Sequence, residues 1–215
     1  MHLTGQQSDM ETLTIDDFRW MLRKALERIK EREDEFSKLD ALTGDGDHGT
    51  AVVTALTVAV NAAEKGTDFK SVLNAIGIAV MMETSGSSST LMGAFFLGMS
   101  DVVDGDELDA TGIKAMFAGG LSNVRKQTKA DVGDKTMMDV LIPAVNAFEA
   151  CPSAAIDDLF SAAAMEAEKG AEATVDMVAK FGRARNYGER SIGYMDCGAA
   201  SWSTMFAAFA EYILN

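Results

Sequence analysis

The chain has 215 residues, 47% of them hydrophobic, and a formal net charge of −14 from 19 Lys and Arg against 33 Asp and Glu. This length suits one large domain, and the excess of acidic residues argues against binding to nucleic acid or to an anionic membrane. Two cysteines are too few for a disulfide scaffold, and there is neither a signal-peptide pattern nor an apolar run of about 18 residues. We therefore expect a cytoplasmic protein without nucleic-acid or membrane partners.

The first predicted helix runs from about Thr14 to Lys38, where apolar residues recur at intervals of three and four. Thr14 followed by Asp17 is typical of a capping box at its start. Further long segments rich in Ala, Met or Leu follow, separated by short Gly or Asp breaks: 50–65, 68–84, 91–103, 109–128, 135–150, 154–181 and 199–214. Strand-like alternation is missing. We predict an all-α single domain over residues 14–215, folded as an antiparallel bundle or closed barrel of about eight helices, after a flexible tail at residues 1–13.

The segment 40–49, Asp-Ala-Leu-Thr-Gly-Asp-Gly-Asp-His-Gly, contains three carboxylates within eight residues: Asp40, Asp45 and Asp47. Carboxylates this close repel one another unless they share a cation. Their oxygens suit Mg²⁺ or Ca²⁺ better than zinc. The segment therefore predicts a metal site that could neutralise a phosphate ligand.

Other interpretations of this segment are weaker. An EF-hand is excluded because Leu56 stands where the twelfth-position glutamate is needed. The spacing Gly44-x-Gly46-x-x-Gly49 matches a dinucleotide fingerprint, but no strand precedes it and two aspartates would face the pyrophosphate. A solvated Asp/Gly turn remains open for the segment taken alone.

Three further polar segments lie at predicted helix ends. The serine-rich segment 85–90 predicts either an anion site at a helix amino terminus or an ordinary N-cap, and there is no Walker A sequence. The turn 133–139, Gly-Asp-Lys-Thr-Met-Met-Asp, precedes another helix. In the glycine-bounded loop 182–188, Arg183 and Arg185 either close over a phosphate or pair with surface acids such as Glu189.

The order of these segments resembles the L-type (DhaL-like) nucleotide-binding subunit of dihydroxyacetone kinases. The resemblance rests on Asp40-x4-Asp-Gly-Asp-His-Gly49, Gly-Asp-Lys-Thr-Met-x-Asp at 133–139, Gly-Arg-Ala at 182–184, and Asp-x-Gly-Ala at 196–199. It extends from about residue 14 to the end. It implies a closed antiparallel barrel of about eight helices with the nucleotide at one end.

The resemblance also implies site residues and cofactors. Asp40, Asp45 and Asp47 would hold two Mg²⁺ ions that bridge the phosphates of ADP or ATP. Ser88 and Ser89 would contact phosphate oxygens. Met137 would pack near the adenine, and Arg183 would help close the site. The residues expected to line the nucleotide are His48, Gly49, Thr50, Ala51, Ser88, Ser89, Thr128, Met137, Arg183, Asp196 and Gly198. We expect His48 to contact phosphate without becoming phosphorylated, because phosphoryl transfer here needs positioning and charge neutralisation.

The family's substrate-binding K-type domain is not found in this chain, so the resemblance implies a kinase subunit that needs a K-type partner. The phosphoryl donor would be exchangeable ATP, which we favour, or a phosphotransferase-system protein (M-type) that rephosphorylates bound ADP. The chain departs from the family at 85–89, at 185–187 and at Cys197, where proline is usual. These departures leave the substrate open between dihydroxyacetone and a related short ketose such as a tetrulose. The alternative function is a non-catalytic nucleotide- or lipid-binding helical regulator.

Overall fold

The computed structural model describes residues 10–215, and almost all of their regular structure is helical, as predicted. The α-helices are α1 (Ile15–Glu31), α2 (Glu33–Ala41), α3 (His48–Ala63), α4 (Phe69–Glu83), α5 (Ser87–Ser100), α6 (Ala110–Gln127), α7 (Met138–Ala150), α8 (Ile156–Ala173) and α9 (Cys197–Ile213). Two 3₁₀ helices cover Thr174–Asp176 and Ala184–Ser191. Two short strands, β1 (Leu13–Thr14) and β2 (Glu107–Leu108), pair antiparallel.

The helices pack in a continuous series. From α3 to α9 each helix packs against the next, while α1 packs against both α3 and α9, so the series returns to its start. The short helix α2 lies against α3 and α9. Eight helices therefore form the series and α2 is additional. This order of neighbours supports the expected closed antiparallel barrel.

The space between the helices is filled by aromatic rings. Phe117 of α6 stacks on Phe148 of α7, with 4.3 Å between ring centroids. Phe95, Phe160 and Phe206, from α5, α8 and α9, also contact Phe117. All five side chains are buried. Because five helices contribute to one aromatic cluster, this cluster holds them together.

Two predicted helices differ most from their predicted bounds. The first divides at Arg32, which leaves helical geometry (φ −111°, ψ 10°) while its side chain binds Thr204 of α9 and Glu35. The segment predicted as one helix over 154–181 ends at Ala173. There the Thr174 hydroxyl, fully buried, donates to the carbonyl of Ala171. At Arg32 the contact with Thr204 joins residues 172 positions apart, so the local apolar pattern gave no sign of that break.

The start of the described chain is ordered. Of the predicted tail, residues 1–9 lie outside the described residues, but Leu13 is fully buried and pairs with Leu108 in the small sheet. The predicted capping box at α1 is confirmed, since Thr14 and Asp17 bond each other's backbone N–H. Between residues 10 and 215, no helix is both long and apolar enough to cross a membrane.

The antiparallel series brings alternate helix ends together. The amino ends of α3, α7 and α9 are joined by direct contacts described below. The small sheet lies near the opposite end, where Tyr212 of α9 donates to Asp17 of α1. The amino ends of three helices, each with partial positive charge, thus lie together.

Candidate metal centre and the surrounding loops

The three aspartates predicted to bind metal lie close together. One carboxylate oxygen from each of Asp40, Asp45 and Asp47 is within 4.8 Å of the others. Asp40, near the end of α2, is largely buried, and its Oδ2 accepts the backbone N–H groups of Gly46 (2.9 Å) and Asp47 (3.1 Å). These two bonds fold the loop back over α2 and bring the other two carboxylates to Asp40.

Glycine is required at two positions of this loop. A Cβ on Gly44 would lie 2.3 Å from Oδ1 of Asp40, and Gly46 has φ +79°. Residues other than glycine rarely adopt such a φ. The acidic loop, residues 40–49, therefore depends on its glycines for the close approach of its carboxylates.

Arg183 supplies positive charge to this acidic cluster. Its guanidinium donates a hydrogen bond to Asp45 and lies 3.8 Å from Asp47. The Arg183 bond holds the pKa of Asp45 below its ordinary value, whereas burial and the neighbouring Asp45 carboxylate raise the pKa of Asp47. Three carboxylates supply the hard oxygen ligands that a divalent ion such as Mg²⁺ prefers, and such an ion would compete with Arg183 for them.

His48 begins α3 immediately after the acidic loop. The ring is buried, which lowers its pKa, and its Nε2 lies 2.9 Å from the hydroxyl of Ser201 on α9. The Ser201 hydroxyl in turn donates to the carbonyl of Gly198. The contact between His48 and Ser201 fixes the start of α3 against α9.

Two predicted site residues, Asp196 and Gly198, lie at the start of α9 with Cys197 between them. Asp196 caps the helix by accepting the N–H of Ala199 (2.8 Å), and burial raises its pKa to about 6. Cys197 donates its thiol hydrogen to Oδ1 of Asp40 over 3.8 Å. Gly198 lies against Met137, because a Cβ added there would be 3.5 Å from the Met137 Cβ. The amino ends of α7 and α9 are therefore in contact.

The turn before α7 is organised by two buried charges. Asp139 accepts the backbone N–H groups of Gly133 (2.6 Å) and Thr136 (2.7 Å). Lys135 has φ +58° and, among residues 10–215, is the single non-glycine residue with positive φ. Left-handed geometry costs a non-glycine residue roughly 1–2 kcal/mol. Such strain persists where surrounding contacts hold the residue in place.

The remaining predicted residues are less closely connected to the aspartates. Ser88 and Ser89 lie in the first turn of α5, not in a loop, and Ser89 is buried. The Thr50 hydroxyl donates to Glu33 on α2 (2.9 Å). Thr128 ends α6, where its hydroxyl oxygen accepts the N–H of Ala130. No side-chain hydrogen bond in the described chain joins these residues to the three aspartates.

Ser201 and Thr174 were not predicted as site residues. Thr174 accepts the backbone N–H of Asp196 through its hydroxyl (3.0 Å) and so supports the start of α9. A motif search could not have found either residue, because each acts on a partner far away in the chain. Thr174 begins a short 3₁₀ helix, and Ser201 lies within α9.

The fold and the site together define a largely helical protein with a cluster of three aspartates beside the amino end of α3. Residues 42–211 match the DAK2 domain. The chain is 35% identical to the ADP-binding subunit DhaL of PEP-dependent dihydroxyacetone kinase 1 from Listeria innocua, over 86% of this chain and 90% of that protein. The chain therefore belongs to the DAK2 domain family.

Two longer proteins match over part of their length. D-erythrulose kinase from Mycolicibacterium smegmatis is 34% identical, and the match covers 87% of this chain and 33% of that protein. The crystal structure of the dihydroxyacetone kinase from C. freundii, in complex with AMP-PNP and Mg²⁺, has a TM-score of 0.68 at 25% identity. That match covers 90% of this chain and 33% of the kinase. The fold thus occurs both as a separate subunit and as part of a longer chain.

Proposed function

We propose that this chain is the nucleotide-binding subunit of a short-ketose kinase. In this proposal it binds ADP or ATP through two Mg²⁺ ions and passes phosphate to a ketose held on a separate K-type subunit. The observation that carries the proposal is the convergence of Asp40, Asp45 and Asp47, with oxygens within 4.8 Å, at the amino ends of helices. The similarity to subunits named ADP-binding supports it.

The residues of this chain have distinct proposed roles. The three aspartates would hold the magnesium, which would neutralise phosphate charge and so allow an acidic protein to bind an anion. The amino ends of α3 and α5 would present backbone N–H groups to phosphate oxygens. The residues concerned are Gly49, Thr50 and Ala51 on α3, and Ser88 and Ser89 on α5. His48 orients the start of α3 through Ser201, and its burial disfavours a role as a phosphate carrier.

The other end of the nucleotide would lie between α7 and α9. Met137 and Gly198 are in contact there, and a small residue at 198 leaves space beside the methionine. Asp196 caps α9, and Thr128 ends α6 next to the turn before α7. We propose that this region receives the adenine and ribose, while Arg183 closes over the phosphates.

The comparisons bear on the substrate and the phosphoryl donor. The Listeria innocua relative is named PEP-dependent and ADP-binding, which supports a phosphotransferase-system donor and resident ADP. The Mycolicibacterium smegmatis relative is named for D-erythrulose, which supports a tetrulose as the acceptor. We keep dihydroxyacetone or a tetrulose as the proposed substrate class. We keep exchangeable ATP and a phosphotransferase-system protein as the two proposed phosphoryl donors, and we place the proposed site in the cytoplasm.

The proposal predicts that nucleotide binding requires a divalent cation. Calorimetric titration with ADP should give heat of binding in Mg²⁺ and none in EDTA, because the aspartates repel phosphate without a metal. Asp45→Asn should remove binding in Mg²⁺. Asp101→Asn, at the exposed carboxyl end of α5, removes the same charge far from the site and should bind as wild type. Equal ADP affinity in Mg²⁺ and EDTA would contradict the proposal.

A further inference from the structure

Lys135 is a buried cation that no step of the proposed function uses. Only 3% of its surface is exposed, yet its Nζ has well-defined partners. It donates to the backbone carbonyls of Thr174 (2.5 Å) and Tyr194 (2.6 Å), and it lies 5.2 Å from the centre of the Tyr194 ring. Burial lowers its pKa, while the carboxylates of Asp196, Asp139 and Asp176 oppose this effect.

The two carbonyls stand at the two ends of one segment. Residues 175–193, which we call the arginine loop, leave the core after Thr174 and return to it at Tyr194. One ammonium group therefore joins both ends of the loop to the turn before α7. A backbone bond from Gly193 to Val175 (2.9 Å) closes the base of the loop beside it.

The arginine loop carries Arg183 to the acidic cluster. At its tip, Arg183 contacts Asp45, which is 138 residues away in the sequence, and also lies near Asp47. Beyond its end, Asp196 and Gly198 start α9 against Met137. A change in the base of the loop would therefore move groups on both sides of the proposed nucleotide site.

We propose that Lys135 is a positioning residue that holds the arginine loop, and hence Arg183, over the three aspartates. The inference rests on the proposed nucleotide site for its effect on binding. Its structural part, the restraint of the loop, is independent of any ligand. It predicts that loss of the ammonium increases loop motion and speeds nucleotide release, while the fold remains intact.

A second lysine links the same two segments at the surface. Lys180 donates to the carbonyl of Gly133 (2.9 Å) and to Asp134 (2.8 Å), but 59% of its side chain is exposed. Water competes for such a pair, so its contribution is small. The buried bonds of Lys135 are not exposed to that competition and are the stronger restraint.

The variants are chosen to separate positioning from folding. Lys135→Met removes the ammonium at nearly constant length, and Lys135→Gln keeps an amide that can donate to one of the carbonyls. Both retain a side chain at the same left-handed position, so the backbone strain is matched. Lys169→Met is the control, because Lys169 is an exposed residue of α8 paired with Glu166.

The experiment uses hydrogen exchange and the dissociation rate of Mg·ADP. Lys135→Met should raise amide exchange in residues 175–193 without nucleotide and speed ADP release by about tenfold or more, the loss expected for charge-assisted bonds. Lys135→Gln should show a smaller change in both, and Lys169→Met should behave as wild type. In an Arg183→Ala background, Lys135→Met should have little further effect on ADP release, because the positioned group is already absent.

The outcomes distinguish this inference from the proposed function. If wild type fails to bind ADP, the proposed function fails, and hydrogen exchange still tests the restraint. Unchanged exchange in the loop of Lys135→Met would overturn the inference. Fully additive effects of Lys135→Met and Arg183→Ala on ADP release would also overturn it. Unfolding of both the Met and the Gln variants would do the same, since Lys135 would then serve the whole fold.

Discussion

Replacing Arg183 by Ala should change metal binding and nucleotide binding in opposite directions. In the metal-free protein, the Arg183 guanidinium neutralises part of the charge of Asp45 and Asp47. A divalent cation binding at the same carboxylates must displace it. The variant offers unpaired carboxylates, so its affinity for Mg²⁺ or Mn²⁺ alone should rise. Its affinity for nucleotide should fall, because a donor to phosphate is lost.

The two effects differ in size. The side chains of Arg183 and Asp45 are 57% and 52% exposed, and exposed ion pairs contribute little. The gain in metal affinity should therefore be only a few-fold, and it should shrink in high salt. A charge-assisted bond to phosphate is stronger once the bound nucleotide excludes water. Its loss should weaken ADP binding by about tenfold or more.

Metal affinity can be followed by calorimetry or by Mn²⁺ electron paramagnetic resonance without nucleotide, and ADP affinity by calorimetry in saturating Mg²⁺. Arg185→Ser is the matched control: it removes the same charge two residues away, and no ion pair joins Arg185 to an acidic residue anywhere in residues 10–215. Opposite changes in Arg183→Ala and near-normal values in Arg185→Ser are expected. Changes of equal sign in both constants of Arg183→Ala would refute the reasoning.

Two further predictions concern stability. Asp196→Asn can still cap α9. Because the folded pKa is raised from 3.8 to about 6, wild type loses up to about 3 kcal/mol as pH rises through that window. In urea unfolding, the free energy of unfolding of Asp196→Asn should rise relative to that of wild type between pH 4 and 7. The control Asp68→Asn changes an exposed cap whose aspartate has a lowered pKa, and it should show no such rise. A difference between Asp196→Asn and wild type that does not depend on pH would contradict this. Phe117→Ala should cost about 3–5 kcal/mol by opening a cavity beside Phe148, and a loss below about 1 kcal/mol would show that the cluster is not central.

The helical fold was predictable because apolar periodicity and capping residues act locally. Thr14 and Asp17 form their predicted capping box, and the long Ala- and Leu-rich segments are helices. The break at Arg32 was not predictable in the same way. Its cause is a bond to Thr204, a residue 172 positions away. The serine segment was predicted to precede a helix at 91–103, yet Ser87 already begins α5 after Gly86, which has φ +96°.

The site was predictable in its residue types but not in its connections. Three aspartates spaced around glycines indicated a shared cation, and the structure places their oxygens within 4.8 Å. Whether Arg183 faced phosphate or a surface acid was open, and its partner in the structure is Asp45. Lys135 binds two backbone carbonyls, and any residue type supplies a carbonyl. No sequence pattern could therefore identify those partners.

Hydrogen bonds and an ion pair hold the acidic loop in place without a bound ligand. Asp40 is held by two backbone N–H groups, so its charge is stabilised without a metal. Asp45 and Asp47 lack that support and are paired with Arg183 instead. The ion pair and the proposed magnesium use the same carboxylates, so they compete at Asp45. Magnesium at these carboxylates would therefore leave Arg183 without its partner at the point where phosphate enters. An arginine held there by its loop is a better hydrogen-bond donor to phosphate than one that is free to turn toward solvent. The restraint at Lys135 and the charge at Arg183 should therefore act as one unit.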